Sequence, residues 1–556
     1  MDSGPAPHRP APSWRLELAA LALFVALAVV HTWPLAKAPG TYCRNDNSDT
    51  VLNEWALAWV AHAIATDPLH LFDANIFHPE KRTLAFSEHM LPQALMVAPV
   101  QWLGGSPVLA YSLALLAGFA LTGWAFSHLV YRWTGSWGAG LIAGSLAAFN
   151  THSFTRFGHL QALHLEFLPL ALLALDRVLT MPRLRHALAL AWWTALQSLT
   201  SGYFLVFTVV SLVASVAVRP REWLLGERRR AAEGAKVSSR LSPTRVLAAL
   251  ALAAIVASLL LLPFIWPYVQ VRRELGLVRP LQDVARYSAQ FTDYLLTGAT
   301  PHWGWSQRFW PGTALFPGVL GIALAVTSLV SLQAFRDRRA RMCLAIALVT
   351  FVLSFGVRFP LYPSLYQALP LFHAIRAVSR FGQFTLLALA VLGGFGAAWW
   401  LARIRRPWVR GVVAAALLAV VQVESWHAPI WYTEFKELPR VHRTLAGQQG
   451  VVAYFPFHTG GDQPRNAEHM LASTLNWLPM LNGFSGFAPP SFFRHAEHLA
   501  GFPDTASIDY LRRTGVRFVV VDTRGYREDE AQAIDNAPSL RRWAADETYR
   551  IYDIGR

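Results

Sequence analysis

Long apolar segments alternate with shorter polar ones along the first three quarters of the chain. Eleven such segments lie near residues 16–35, 107–131, 137–150, 161–178, 185–199, 201–218, 244–268, 311–334, 341–357, 379–402 and 408–426. Runs of roughly 18 or more apolar residues are typical of transmembrane helices. The pattern predicts an α-helical polytopic membrane protein with about eleven transmembrane helices, built from residues 1–426.

Arginine residues are concentrated in every second loop between these segments. The loops at 132–136, 177–185, 219–245, 336–341 and 403–410 carry them. Such loops stay in the cytoplasm, so we expect a cytoplasmic N-terminus and an extracytoplasmic C-terminus. Merging segments 185–199 and 201–218 into one span would place the later arginines outside. The net charge of +15 is therefore a topology signal, and nucleic acid is not expected as a partner.

The first apolar segment has two interpretations. Arg9 and Arg15 precede it, and Ala36-Lys37-Ala38 follows it. This arrangement resembles a cleaved signal peptide, although a retained first span explains it as well. Both interpretations place residues 37–106 outside the cytoplasm.

This first outward loop, residues 37–106, contains acidic groups that are sparse elsewhere in the first half. Asp46 and Asp49 precede a segment with helical apolar spacing at 51–64, which predicts an amphipathic helix capped by Ser48 or Asp49. Glu88 and His89 precede a second apolar helix, predicted at 91–103. Helix capping and the helix dipole explain these acids structurally. A carboxylate held at a membrane face is equally suited to act as a general base.

Two later outward loops supply further candidates. His159 and Glu166 are seven residues apart and would share one face of a continuous helix, so a divalent metal site is one possibility. Arg376 and Arg380 lie outside, against the charge rule, at the start of the tenth segment. Paired arginines can hold a phosphate, and snorkelling to lipid headgroups is the alternative.

The composition changes after residue 426. Residues 427–556 contain strand-like runs at 451–457, 516–522 and 549–551, and a helix predicted at 505–513 that ends before Gly515. We expect a soluble, extracytoplasmic α/β domain. Its aromatic and proline-rich stretch at 484–493 predicts that it packs against the first loop.

These stretches resemble the GT-C superfamily of polytopic membrane glycosyltransferases, which includes protein O-mannosyltransferase-like enzymes, and specifically a bacterial subgroup. The similar stretches are residues 49–59, 67–79, 85–89, 158–161, 375–381 and 481–490. The resemblance implies a GT-C-like fold in a multi-pass protein of the bacterial inner membrane. It also implies an inverting hexosyltransferase that moves a sugar from a polyprenyl-phosphate donor to an extracytoplasmic glycan, lipid or protein acceptor, in contact with membrane lipids.

The resemblance also assigns roles to individual residues. Asp49 corresponds to the catalytic base, with Asp46 as its substitute and Glu88 as a further catalytic candidate. The candidates for substrate binding are His89, His159, Glu166, Arg376 and Arg380. Some members of the superfamily have an acidic pair in the second outer loop, but residues 150–160 contain no acid. Metal dependence and catalytic competence therefore stay open. A non-enzymatic envelope-glycan assembly factor and a lipid-linked sugar transporter or flippase are the alternatives.

Overall fold

The computed structural model describes residues 13–225, 242–276 and 280–555. Arg9 and the part of the arginine-rich loop at 226–241 lie outside the described residues. The helices of eight residues or more, which we number α1 to α18, are Trp14–His31, Ser48–Thr66, Leu91–Trp102, Pro107–Thr134, Trp137–Ala148, Phe167–Thr180, Leu184–Thr200, Gly202–Ala217, Pro243–Leu275, Val319–Val330, Arg338–Ser354, Leu361–Ala368, Phe381–Leu401, Pro407–Glu424, Asn466–Ser473, Pro490–Leu499, Thr505–Arg513 and Glu528–Asp535.

The chain divides into two units. The first, which we call the helical unit, comprises Met1–Lys37, Leu115–Phe264 and Val278–Ile430. The second, the mixed unit, comprises Ala38–Ala114, Ile265–Leu277 and Trp431–Arg556. The first outward loop and the C-terminal segment thus belong to the same unit.

A helix is present within each of the eleven predicted apolar segments. Among the described residues, five helices are long and apolar enough to cross a membrane, namely Trp14–His31, Pro107–Thr134, Pro243–Leu275, Val378–Leu401 and Pro407–Glu424. The chain is therefore an integral membrane protein. The number of spans and the orientation of the termini stay predictions.

Small residues let the helices of the helical unit approach closely. A Cβ at Gly144 of α5 would lie 2.3 Å from the carbonyl oxygen of Gly123 in α4. A Cβ at Gly394 of α13 would lie 2.8 Å from a methyl group of Val130 and 2.9 Å from Ala143. Helix pairs in membranes are stabilised by this kind of close backbone packing, because lipid competes with larger apolar side chains.

A buried group of charges joins three segments of the helical unit, and we call it the paired arginine cluster. Arg219 Nη1 lies 2.7 Å from Asp176 Oδ1, and Arg339 Nε lies 2.9 Å from Asp176 Oδ2. Glu222 Oε1 accepts from Arg219 Nε at 2.9 Å and from Arg338 Nη1 at 3.3 Å. Arg219 is completely buried. Every arginine of this cluster contacts a carboxylate.

The mixed unit contains a four-stranded sheet made from the C-terminal segment. Strands β3 (Val451–Phe455), β4 (Val516–Asp522), β5 (Arg541–Ala545) and β6 (Tyr549–Asp553) have the order β3-β4-β6-β5. Only the β3–β4 pair is parallel, and α15, α16 and α17 lie in its crossover connection. A separate two-stranded ribbon pairs β1 (Tyr42–Cys43) of the first loop with β2 (Thr433–Glu434).

The C-terminal segment packs against the first loop, as predicted from its aromatic stretch. The Phe77 amide donates to the Asn482 carbonyl at 3.0 Å, and the His78 amide donates to the Met480 carbonyl at 2.9 Å. A Cβ at Gly483 would lie 2.7 Å from the Phe77 ring. Glycine is therefore required at this contact, since a side chain there would push the loop away.

The helix after the first span differs from the prediction in two respects. Its N-cap is Asn47 rather than Ser48 or Asp49, because the Asn47 side chain accepts a hydrogen bond from the Asp49 amide at 2.9 Å. It is also not amphipathic, since every residue from position 50 to 61 is buried. Helices α3 and α15 pack against α2, so both of its faces are covered and its polar residues lie in a core.

Candidate functional site

The two aspartates at the start of α2 lie in different surroundings. Asp46 is held by a two-pronged ion pair, in which Arg44 Nε and Nη2 lie 3.0 and 3.2 Å from its carboxylate oxygens. Asp49 lies in the first turn of α2 and is half-buried. Asp46 is thus engaged by an arginine close to it in sequence, whereas Asp49 lies within the helix itself.

Glu88 and His89 lie just before α3. Helix α3 begins at Leu91 and has no acid in its first turn, so the expected role of Glu88 as a helix N-terminal acid is wrong. The intervening Met90 adopts a left-handed conformation that separates Glu88 from the helix. His89 is buried, and its Nδ1 accepts from the Leu91 amide at 3.0 Å. Burial lowers the pKa of His89 to about 4, so its ring is neutral at physiological pH.

Glu54 is a buried acid in α2 that is not among the candidate site residues predicted from the sequence. It is completely buried, and neither of its carboxylate oxygens has a hydrogen-bond partner among the described residues. Burial raises the pKa of Glu54 to about 8, and the nearby Asn45 side chain offsets part of this rise. Glu54 is therefore protonated at neutral pH, and a protonated carboxyl can donate a proton or a hydrogen bond. The available signal was an acid within an otherwise apolar helical stretch.

Three arginines converge in the helical unit around one histidine, and we call them the unpaired arginine cluster. Arg156 lies between α5 and α6, and Arg376 and Arg380 lie just before α13. All three raise the electrostatic potential at His159. None of the three forms an ion pair with a carboxylate within the part of the chain that the structure describes. Arg376 and Arg380 were predicted, whereas Arg156 was missed.

Aromatic rings lie against two of these arginines. The guanidinium carbon of Arg376 lies 4.9 Å from the ring centroid of Tyr287, and that of Arg380 lies 4.9 Å from the ring centroid of Tyr203. Both are cation–π distances. The Nε of Arg380 is buried and has no hydrogen-bond partner among the described residues. This buried N–H is a donor for which the fold provides no acceptor.

The charges of the unpaired arginine cluster oppose one another. Burial and the charge of Arg380 lower the pKa of Arg156. Burial and all three guanidiniums lower the pKa of His159 to about 2, so this imidazole is neutral. Because arginine keeps its proton in proteins, a bound anion would relieve the repulsion among the guanidiniums. The arrangement is suited to bind a phosphate or a carboxylate.

Glu166 does not share a helix face with His159, contrary to the expectation. A short turn of 3-10 helix, Leu160–Leu163, and the start of α6 at Phe167 separate the two residues. Glu166 instead pairs with His164, whose Nδ1 lies 2.9 Å from its Oε1, and both side chains are buried. Across residues 13–225, 242–276 and 280–555, no group of three potential ligands is close enough to hold a metal ion.

Comparison with solved structures identifies the fold. The chain is similar to the arabinofuranosyltransferase AftD from Mycobacteria, in a mutant form, with a TM-score of 0.58 at 16% identity over 99% of this chain and 42% of that one. It also aligns with the oligosaccharyltransferase AglB from Archaeoglobus fulgidus (TM-score 0.46, 13% identity, 92% of this chain, 70% of that one). A third alignment is with ArnT from Cupriavidus metallidurans (TM-score 0.47, 14% identity, 97% and 98%).

The similarity to AftD shows that the two chains share a fold, which agrees with the fold that the predicted resemblance implies. The chain spans 42% of the length of AftD. No protein-family model and no curated protein matches the sequence.

Proposed function

We propose that this protein is a membrane glycosyltransferase that transfers a sugar from a polyprenyl-phosphate donor to an extracytoplasmic acceptor. The unpaired arginine cluster is the observation that carries the proposal. Three guanidiniums that pair with no carboxylate in the described parts of the chain are suited to bind an anion, and a lipid-linked sugar donor presents a phosphate. The GT-C fold, which this chain shares with an arabinofuranosyltransferase, supports sugar transfer as the reaction.

In the proposed reaction, the bond between the sugar and the donor phosphate breaks as an acceptor hydroxyl or amine attacks the anomeric carbon. The transition state has oxocarbenium character, and the leaving phosphate gains negative charge. Arg156, Arg376 and Arg380 stabilise that charge, because preorganised cations act most strongly where water is excluded. Asp49 accepts the proton of the acceptor. Glu88 and His89 orient the acceptor or the sugar, and His89 does so as a neutral ring.

The test of the base is the release of polyprenyl phosphate from a labelled donor by the protein in nanodiscs. We expect Asp49→Asn to retain the fold and donor binding and to lower turnover by at least about a hundredfold, the low end for a lost acid–base group. Asp46→Asn is the matched control, because Asp46 is already engaged by Arg44. Full turnover by a folded Asp49→Asn protein would transfer the role to Asp46 or Glu88.

The same assay separates the enzyme from the alternatives. An assembly factor would bind the donor without releasing polyprenyl phosphate, and a flippase would move the donor between leaflets without cleaving it. If the parent protein binds donor at the unpaired arginine cluster yet releases nothing with any acceptor, the glycosyltransferase proposal is wrong.

A further inference from the structure

A groove between three helices of the helical unit remains unused by the proposed reaction. It encloses about 610 Å³, which lies within the range of about 300–1,000 Å³ for small-molecule sites. Its walls come from the loop before α5 and from α5, α13 and α14, and they are mostly glycine, alanine and leucine. The floor is closed where α5 and α14 meet, since a Cβ at Gly138 would lie 2.6 Å from Ala414 Cβ.

The length of this groove matches one leaflet of a bilayer. Its α14 wall extends from Pro407 to Leu418. At a rise of 1.5 Å per residue this stretch is about 17 Å long, which is about half of the roughly 30 Å of hydrocarbon in a membrane. Helix α14 is exposed over most of its surface, so the groove opens toward lipid. An acyl chain of one leaflet fits these dimensions.

Positive charge is concentrated at one end of the groove. Arg403, Arg405, Arg406 and Arg410 lie within eight residues at this end, and Arg410 lines the groove itself. Arg405, Arg406 and Arg410 are exposed and form no ion pair in the described ranges. Helix α14 begins at Pro407 without a side-chain cap, so its dipole adds to the positive potential. The arginine pattern predicts that this end faces the cytoplasm.

We propose that this groove, bounded by α5, α13 and α14, is a binding site for an anionic glycerophospholipid of the cytoplasmic leaflet. The acyl chain occupies the apolar groove, and Arg406 and Arg410 hold the headgroup phosphate. Basic pockets between transmembrane helices on the cytoplasmic side bind anionic headgroups in this way. The site is independent of the proposed glycosyltransferase reaction, because it uses none of the same residues.

The test is native mass spectrometry of the full chain released from nanodiscs that contain equal amounts of phosphatidylglycerol and phosphatidylethanolamine. We expect the parent to retain phosphatidylglycerol preferentially. The double variant Arg406→Gln, Arg410→Gln should lower that retention by about thirtyfold, since each arginine near an anionic headgroup contributes on the order of 1 kcal/mol. Retention of phosphatidylethanolamine should not change.

A second pair of variants tests the groove itself. Gly411→Phe fills it without a clash, because a Cβ at Gly411 meets no atom within 4 Å, and it should abolish lipid retention. Val412→Phe is the matched control, because Val412 is 59% exposed and lies outside the groove lining. Equal retention of the two lipids by the parent, equal effects of the two phenylalanine variants, or retention of polyprenyl phosphate in place of the phospholipid would overturn the proposal.

Discussion

The helical unit holds two clusters of three arginines that differ in one respect, the presence of carboxylates. In the paired arginine cluster, Asp176 and Glu222 contact Arg219, Arg338 and Arg339 at 2.7 to 3.3 Å. In the unpaired arginine cluster no carboxylate of the described residues pairs with a guanidinium, and two tyrosine rings and a neutral histidine lie close to the arginines. The first arrangement is complete without a ligand. The unpaired arginine cluster, by contrast, is suited to bind an anion that balances its charge.

We infer from this difference that the paired arginines stabilise the fold, whereas the unpaired arginines are candidates for binding a ligand. A buried arginine with its carboxylate joins segments that are distant in sequence, but the pair contributes little beyond the desolvation that it offsets. The arginines of the unpaired arginine cluster are half-buried, and the repulsion between Arg156 and Arg380 costs stability in the free protein. Unfavourable electrostatic interactions of this kind are typical of binding sites, where a bound ligand offsets them. Under the proposed function, the same residue type has two different roles within one unit, structural where a carboxylate contacts it and ligand-binding where none does among the described residues.

The largest expected effect comes from breaking the paired arginine cluster. Asp176→Asn leaves Arg219 and Arg339 buried without one of their carboxylates, and loss of one partner of a buried pair costs about 3–5 kcal/mol. We expect a much lower midpoint of unfolding and a lower yield of folded protein. Asp337→Asn is the control, because Asp337 caps α11 through its side chain and asparagine caps equally well. Equal stability of the two variants would contradict the distinction between the clusters.

Glu54 is a third kind of buried charged residue. It is an acid that pairs with no cation among the described residues, and it takes up a proton instead of staying ionised. The folded protein holds a proton on Glu54 up to about pH 8, whereas the unfolded chain releases it near 4.5. The free energy of unfolding should therefore fall as the pH rises through this window, by up to about 3 kcal/mol between pH 5 and 7.5 at 1.36 kcal/mol per unit. The midpoint of unfolding measured across this range reports the effect.

Glu54→Gln should flatten that pH dependence, since an amide does not titrate. Glu547→Gln is the control, because Glu547 is exposed, and its profile should follow that of the parent. A Glu54→Gln protein with the parental slope would show that Glu54 is not the buried proton.

The elements of the helical unit could be predicted from the sequence, because apolar length and arginine alternation are local signals. Arg376 and Arg380 could be selected as candidates from the sequence, since both depart from the predicted alternation of arginines at one helix end. Arg156 could not, because it lies some 220 residues earlier, and only the fold brings it to His159. Glu54 was overlooked because α2 was expected to have a polar face, whereas packing by α3 and α15 buries all sides of it.

The next largest expected effect is a loss of donor affinity when Arg380 of the unpaired arginine cluster is replaced, without a loss of stability. Arg380→Gln removes a guanidinium whose hydrogen bonds to a charged phosphate are each worth about 1.5–3 kcal/mol, so donor affinity should fall by about 10- to 100-fold. The free energy of unfolding should stay the same or rise, because repulsion with Arg156 is lost. Donor binding by titration and thermal unfolding measure the two quantities separately. Marked destabilisation of Arg380→Gln would place this arginine with the structural ones.

The smallest expected effect concerns the aromatic support of the unpaired arginine cluster. Tyr287→Leu removes the ring that lies 4.9 Å from the Arg376 guanidinium, and a cation–π contact at a partly exposed site is worth about 0.5–1 kcal/mol. Donor affinity should therefore fall by about two- to fivefold. Tyr287→Phe keeps the ring and should retain the parental affinity. If the leucine and phenylalanine variants bind donor equally well, the ring does not position Arg376, and the backbone of its loop does so alone.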